Sequence, residues 1–239
     1  MSSSGHVALL PQLLGWSAYT ALDDEMRKSF EVALHAGTAA ALLIALRQEV
    51  AEVVRTMDLR RIVRHLLEIL PPAVAAVLWE RPLEQRFGGA RSVALAQVAG
   101  GAALWAADRR PALRVHGDAG ALDALAIGVG QATALVPGVS RNGATLTAAR
   151  VRRFERRSAN RLSRHAALPI IIAATGLKGA RLAKRGLPRE LRAPFAVGAA
   201  AAFASTLAAS RLIDMVDGAR SYAPFAAYRI ALGVAAYVR

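Results

Sequence analysis

Cysteine is absent from the 239 residues, so neither a disulfide nor a thiolate metal site can form. Aromatic residues are scarce at 5%, and 17 acidic side chains face 31 Lys and Arg, a formal charge of +14. That imbalance favours an anionic partner. A basic nucleic-acid module would pair its charge with rings on which bases stack. With so few rings, and with the basic residues set between apolar blocks, anionic lipid headgroups or a phosphorylated lipid fit better than nucleic acid. The opening residues, Met1 to His6, are small and polar and do not form a secretory signal.

Apolar residues are plentiful. They make up 54% of the chain at a mean hydropathy of +0.32, beside 20% charged residues, so the two kinds are segregated in blocks. Charge-free stretches run from Ala193 to Ser210, Ala124 to Ser140 and Ser92 to Ala107, of 18, 17 and 16 residues. Val32 to Leu46, Leu66 to Trp79 and Ala223 to Val238 carry only His35, Glu68 and Arg229, and His165 to Leu177 is a shorter apolar segment. A straight span needs about 20 apolar residues, so each is marginal alone. A soluble Ala-rich bundle would show a polar face every 3.6 residues. Ala196 to Leu207 has no charge on any face, which favours lipid. Pro71-Pro72, Gly100-Gly101, Pro137-Gly138 and Pro169 interrupt these runs, and breaks at membrane depth are tolerated only inside protein or beside a watery cavity. Basic residues gather in two expected loops, Arg150 to Arg164 and Lys178 to Arg192, which together supply +11. A single crossing by the segment between them would put the loops on opposite sides, so charge alone does not set the topology.

The break at Pro137 has the chemistry of an anion site. Leu135 to Thr145 places Arg141 at the end of an apolar run, where an arginine is costly without an anionic partner. Gly138 and Gly143 let backbone amides turn toward a ligand, and Ser140, Asn142 and Thr145 add donors. A helix starting after Gly143 would aim its positive end at the same place. The alternative is an ordinary turn whose Arg snorkels to water. Near the start, Ser2-x-x-Gly5 repeats the spacing of Ser140-x-x-Gly143, which points to an inverted repeat with a ligand where two broken helices meet. Met1 to His6 also fits a disordered terminus.

In Ser2 to His6 and in Pro137 to Thr145 the chain resembles the bacterial undecaprenyl-diphosphate phosphatases, the bacitracin-resistance type. These carry one motif ending Pro-Val-Ser-Ser-[Thr/Ser]-Gly-His and a second, Pro-Gly-x-Ser-Arg-Ser-Gly-Ala-Thr. Phe30-Glu31-Val32 with Gly37, Phe195 to Gly198 and Pro224 to Arg229 extend the likeness along the chain. The resemblance implies an all-α polytopic integral membrane protein with broken or re-entrant helices and an inverted-repeat arrangement. It would form one transmembrane domain, 1–239, with pseudo-repeats at roughly 1–118 and 119–239, in the bacterial inner membrane. The implied activity is hydrolysis of undecaprenyl diphosphate to the monophosphate and inorganic phosphate for cell-wall synthesis. The implied catalytic residues are Ser3 as nucleophile or phosphate ligand, His6 as acid or base and Arg141 as the diphosphate clamp. Ser2, Ser4, Gly138, Ser140, Asn142, Gly143 and Thr145 would bind substrate. Mg²⁺ or another divalent cation is the implied cofactor, and no metal-ligating residue is assigned. The expected partners are a polyprenyl diphosphate, membrane lipids and a second copy of the chain. A non-catalytic carrier or binder of polyprenyl diphosphates is the alternative.

The chain departs from the pattern in three places. Asn142 replaces a Ser, and Arg164 and His165 replace apolar residues. The pair of glutamates upstream of the first motif has no counterpart, because the chain begins at the family's Val. In a GC-rich genome a GTG codon reads Val internally and Met as a start, so Met1 is expected to be an internal Val codon preceded by an acidic helix. An in-frame stop codon just before it would refute this. Arg229 is expected to make a structural contact near the membrane interface.

Overall fold

A computed structural model describes residues 3–16, 23–186 and 189–238. Among the described residues the regular structure is eleven α-helices and one 3-10 turn, with an isolated bridge between Arg114 and Phe154 and no strand. The helices are α1 (Ser3–Leu14), α2 (Asp24–Ala45), α3 (Arg47–Arg55), α4 (Leu59–Phe87), α5 (Ala90–Asp108), α6 (Ala121–Thr133), α7 (Arg141–Val151), α8 (Arg156–Arg185), α9 (Arg189–Ser210), α10 (Ile213–Asp217) and α11 (Ala223–Tyr237). α4 and α9 are long and apolar enough to cross a membrane, and α2 with α3, bent by 69°, makes a third span if taken together. The architecture is that of an all-α membrane protein.

Two compact units divide the chain. One holds Trp16–Met57 and Leu168–Val216, where α2 packs on α9. Glycines let these two helices approach: a Cβ on Gly37 would strike the Ala199 carbonyl, and one on Gly198 would strike the Phe30 ring. Phe30 and Phe195 meet edge to face at 5.2 Å. The Phe30 and Phe195 segments singled out in the sequence are thus a helix seam.

The other unit holds Met1–Gly15, Asp58–Ala167 and Asp217–Arg239. Its core gathers Leu104, Ile127, Leu146, Phe154, Leu162 and Tyr222, and a second cluster joins Leu9 of α1 to Val93 and Leu232. The opening residues from Ser3 onward therefore form a docked helix rather than a disordered terminus.

Three of the four expected breaks lie inside continuous helices. Pro71 and Pro72 sit within α4, Pro169 within α8 and Gly100-Gly101 within α5. At Pro72 the reason is visible. Proline removes the N–H that would bond the carbonyl four residues earlier, that of Glu68. Gln131 of α6 donates its Nε2–H to that carbonyl at 3.0 Å, and Gly128 brings α6 against the Leu67 and Glu68 carbonyls. At Gly100-Gly101 the missing side chains admit Arg229, Ala226 and Ile230 of α11.

Pro137 does break the chain, so Ala124 to Ser140 is not one helix. The proline cannot bond the Thr133 carbonyl and disfavours helix in the residue before it, and α6 ends at Thr133. α7 then folds back along α6, with Gly130 against the Ala144 carbonyl and the Ala148 side chain. The outer ends of the pair meet, since Arg152 donates Nε–H to Asp123 at 2.6 Å. At 1.5 Å per residue the 13 residues of α6 reach roughly 20 Å, short of the ~30 Å hydrocarbon layer. The two helices form a short hairpin whose tip is residues 134–140.

Ionic contacts hold its mouth. Asp123 accepts two hydrogen bonds from Arg114, both 2.7 Å, and one from the Gly120 N–H at 2.9 Å. Burial alone would raise its pKa, but these bonds and Arg152 outweigh it and lower it to about 2. Asp108 accepts from Arg156 at 2.7 Å and from the Tyr222 N–H at 2.8 Å. Buried Arg150 lies between, donating to the Asp108 and Phe154 carbonyls. Both basic stretches expected as loops are largely helical, residues 178–185 closing α8 and 189–192 opening α9. Residues 156–164 begin α8, and Arg164, one of the departures from the family pattern, forms a two-pronged ion pair with Asp217 at 2.8 and 2.9 Å.

Candidate active site

The hairpin tip combines unusual backbone with a helix start. Gly138 has φ +96°, a conformation open to glycine, and a Cβ there would lie 2.5 Å from the Val93 carbonyl. Ser140 has φ +68° despite its side chain. It caps α7 by accepting the Gly143 N–H at 3.2 Å on Oγ. The helix therefore begins at Arg141, ahead of the expected start after Gly143, and the amides of its first turn and its positive end point to the tip.

Arg141 leaves this cap half-buried, and among the described residues no carboxylate lies within ion-pair distance of it. A guanidinium so placed, beside the free amides of a helix start, matches an anion with several oxygens.

Arg229 of α11 holds the tip from behind. It is 2% exposed and donates Nε–H to Gln97 Oε1 at 3.0 Å and Nη2–H to the carbonyls of Gly138 at 3.2 Å and Val139 at 2.7 Å. Its guanidinium occupies the room that side chains on Gly100 and Gly143 would take. Its expected structural role is right, yet it is buried and bears on the motif itself.

The residue before it, Tyr228, brings in the first motif. His6 Nε2 and the Tyr228 hydroxyl share a hydrogen bond at 2.9 Å, and the two rings are nearly parallel. Adjacent residues of α11 thus contact the amino-terminal motif and the hairpin tip.

The remaining sequence candidates divide by what their polar atoms do. Asn142 is exposed at the start of α7, with its Oδ1 accepting a hydrogen bond from Ser163 at 2.8 Å. Thr145 is fully buried, and its hydroxyl bonds Ser163 at 2.6 Å and the Arg141 and Asn142 carbonyls at 3.0 Å, so it braces the first turn. Ser2 lies outside the described residues, as do the side chains of Ser3 and Ser4, although Ser3 and Ser4 open α1. Sequence reasoning missed Gln97 and Ser163, which no local motif marks, and gave no role to Tyr228, although it lies in the Pro224 to Arg229 likeness. Among the described residues no group of three or more His, Asp or Glu is arranged to hold a metal ion. The groups described around the tip are cationic, amide or hydroxyl.

A family model described as bacitracin resistance protein BacA matches residues 1–235. The chain belongs to that family. It is 32% identical over 99% of its length to a Gemmatimonas aurantiaca protein named undecaprenyl-diphosphatase, covering 90% of that relative. Proteins of the same name from Geobacter sulfurreducens and Pelotomaculum thermopropionicum are 35% and 33% identical over 98% and 100% of the chain, each covered to 89%. For this BacA-family chain, likeness of that breadth includes both the hairpin and α11, whose residues build the tip.

Proposed function

We propose that this chain hydrolyses undecaprenyl diphosphate to undecaprenyl phosphate and inorganic phosphate, returning the lipid carrier to cell-wall synthesis. The observation that carries this is Arg141, half-buried without a carboxylate among the described residues at the start of α7, inside a hairpin too short to cross the bilayer. Such a group neutralises charge on a phosphoryl group whose apolar tail keeps it in the membrane.

Arg141 clasps the diphosphate, and the amides after Ser140 take the remaining oxygens. Gly138 and Gly143 give the backbone its close approach. Ser3 either binds the phosphate while water attacks, or itself attacks the terminal phosphorus, the bridging P–O bond breaking to release undecaprenyl phosphate and water then freeing phosphate from the serine. Ser2 and Ser4 add donors, and His6, held by Tyr228, carries the proton. The divalent cation implied by the resemblance has no carboxylate cluster among the described residues, and no step is assigned to it. The protein is multi-pass in the bacterial inner membrane. The two pseudo-repeats draw support from the shared Ser-x-x-Gly spacing, whose glycines, Gly5 and Gly143, are both buried. A homodimer is read by the mass of the detergent-solubilised protein.

Phosphate release from undecaprenyl diphosphate by the purified chain tests the activity. Tight binding without release would replace the enzyme with a carrier. Ser3→Ala and His6→Ala are each expected to abolish release, and wild-type turnover in either would remove that residue from the chemistry.

A further inference from the structure

A groove of about 550 Å³ runs along the hairpin, floored by Gly100 and Ala103 of α5 and walled by α6 and α7. Small residues, Ala126, Gly130, Ala144 and Ala148, keep it open. Its rim faces outward, with Leu122 and Val129 exposed by 70% and 52%. Two threonines line it, but both hydroxyls are turned to their own helices: Thr133 donates to the Gly130 carbonyl at 2.7 Å and Thr147 to the Gly143 carbonyl at 2.8 Å. The groove therefore offers an occupant little besides apolar contact.

Its inner end borders the phosphate turn. Val139 and Ala144 line the groove and flank Ser140 to Gly143, while Val151 and Arg152 line the outer end at the hairpin mouth. We propose that this groove seats the part of the polyprenyl tail nearest the diphosphate, so that one hairpin grips headgroup and tail together. The identity of the tail rests on the hydrolysis proposed above. A flexible, branched hydrocarbon joined to an anion matches the groove in both respects: its lining is apolar apart from Thr133, Thr147 and Arg152, and Val139 and Ala144 at its inner end flank the helix start that carries Arg141.

The absence of cysteine makes the test direct. Val129→Cys, Ala148→Cys and, as a lipid-facing control outside the groove, Leu95→Cys are made in the full chain, placed in neutral-lipid nanodiscs and labelled with a membrane-permeant maleimide. Undecaprenyl diphosphate at about ten times its Kd is expected to slow labelling of the two groove positions about tenfold. Leu95→Cys should be unaffected, and inorganic pyrophosphate, which has no tail, should protect neither groove position. The proposal is overturned if neither groove position is protected, if Leu95→Cys is protected equally, or if phosphatidylglycerol protects as well as the polyprenyl diphosphate. It is also overturned if Val129→Cys cross-links two copies, which would make the groove a dimer seam. Protection without phosphate release would leave the groove standing and remove the hydrolysis.

Discussion

Arg229 directs its hydrogen bonds to Gln97 and to the carbonyls of Gly138 and Val139, whereas Arg141, at the same turn, keeps its guanidinium clear of any carboxylate among the described residues. The two arginines should fail differently. Arg141→Ala removes a ligand contact and no structural bond, so phosphate release should fall by about a hundredfold or more while the unfolding midpoint in detergent holds. Arg141→Lys keeps the charge but loses the two-pronged grip and should stay well below wild type. Arg229→Met instead strips donors from the buried Gly138 carbonyl and the part-buried Val139 carbonyl, at about 1–3 kcal/mol for a buried one left unsatisfied. The Nη1 of Arg229, buried without a partner among the described residues, offsets part of that loss. Three bonds against one orphan still give a net loss, seen as a lower midpoint together with lower activity. An Arg229→Met protein as stable as wild type would mean the turn holds itself. Arg141 was legible in the sequence because a charge at the end of an apolar run is costly wherever it lies. The work of Arg229 was not, because its carbonyl partners are 90 and 91 residues away.

The helical segments were marked by their lack of charge, but where they break was not, because a proline ends a helix at one place and is accommodated at another. Pro137 follows the end of α6, where the Thr133 carbonyl takes the Val136 N–H at 3.2 Å in a turn, whereas at Pro72 the helix continues and Gln131 of a neighbouring helix serves the Glu68 carbonyl. This pairing is testable as a cycle. Gln131→Leu should destabilise the protein by about 1–3 kcal/mol, leaving the Glu68 carbonyl buried and unsatisfied. In a Pro72→Ala background the helix regains its own N–H for that carbonyl, so the same change should cost much less. Equal losses in both backgrounds would separate the glutamine from the proline. Gly143→Ala tests the packing at the tip: its Cβ would press on the Arg229 guanidinium, so a loss of about 1–3 kcal/mol in thermal unfolding is expected.

Across the molecule, all-α membrane character followed from composition, while the assembly of one unit from three separate stretches did not. That assembly depends on contacts such as Arg164 with Asp217, the Tyr222 N–H with Asp108 and Arg229 with Gln97, and within the longest stretch a surplus of arginine does not reveal which of them meets Asp108 or Asp123. The Asp123 pairs make acid stability a property of the hairpin mouth. Asp123 is lowered to about 2 from the usual carboxylate value, despite burial that acts the other way, so its contribution is fully present above about pH 4. The contribution fades as pH falls from about 4 toward 2, because the unfolded chain takes up its proton first. The shift corresponds to on the order of 2 kcal/mol. Unfolding in detergent, followed by circular dichroism, should show stability dropping through that window in wild type. Asp123→Asn should be less stable at neutral pH and flatter through the acid range, since it has no proton to gain while Arg114 and Arg152 lose their charged partner. Parallel acid profiles for the two proteins would show that the mouth of the hairpin is held by something other than this carboxylate.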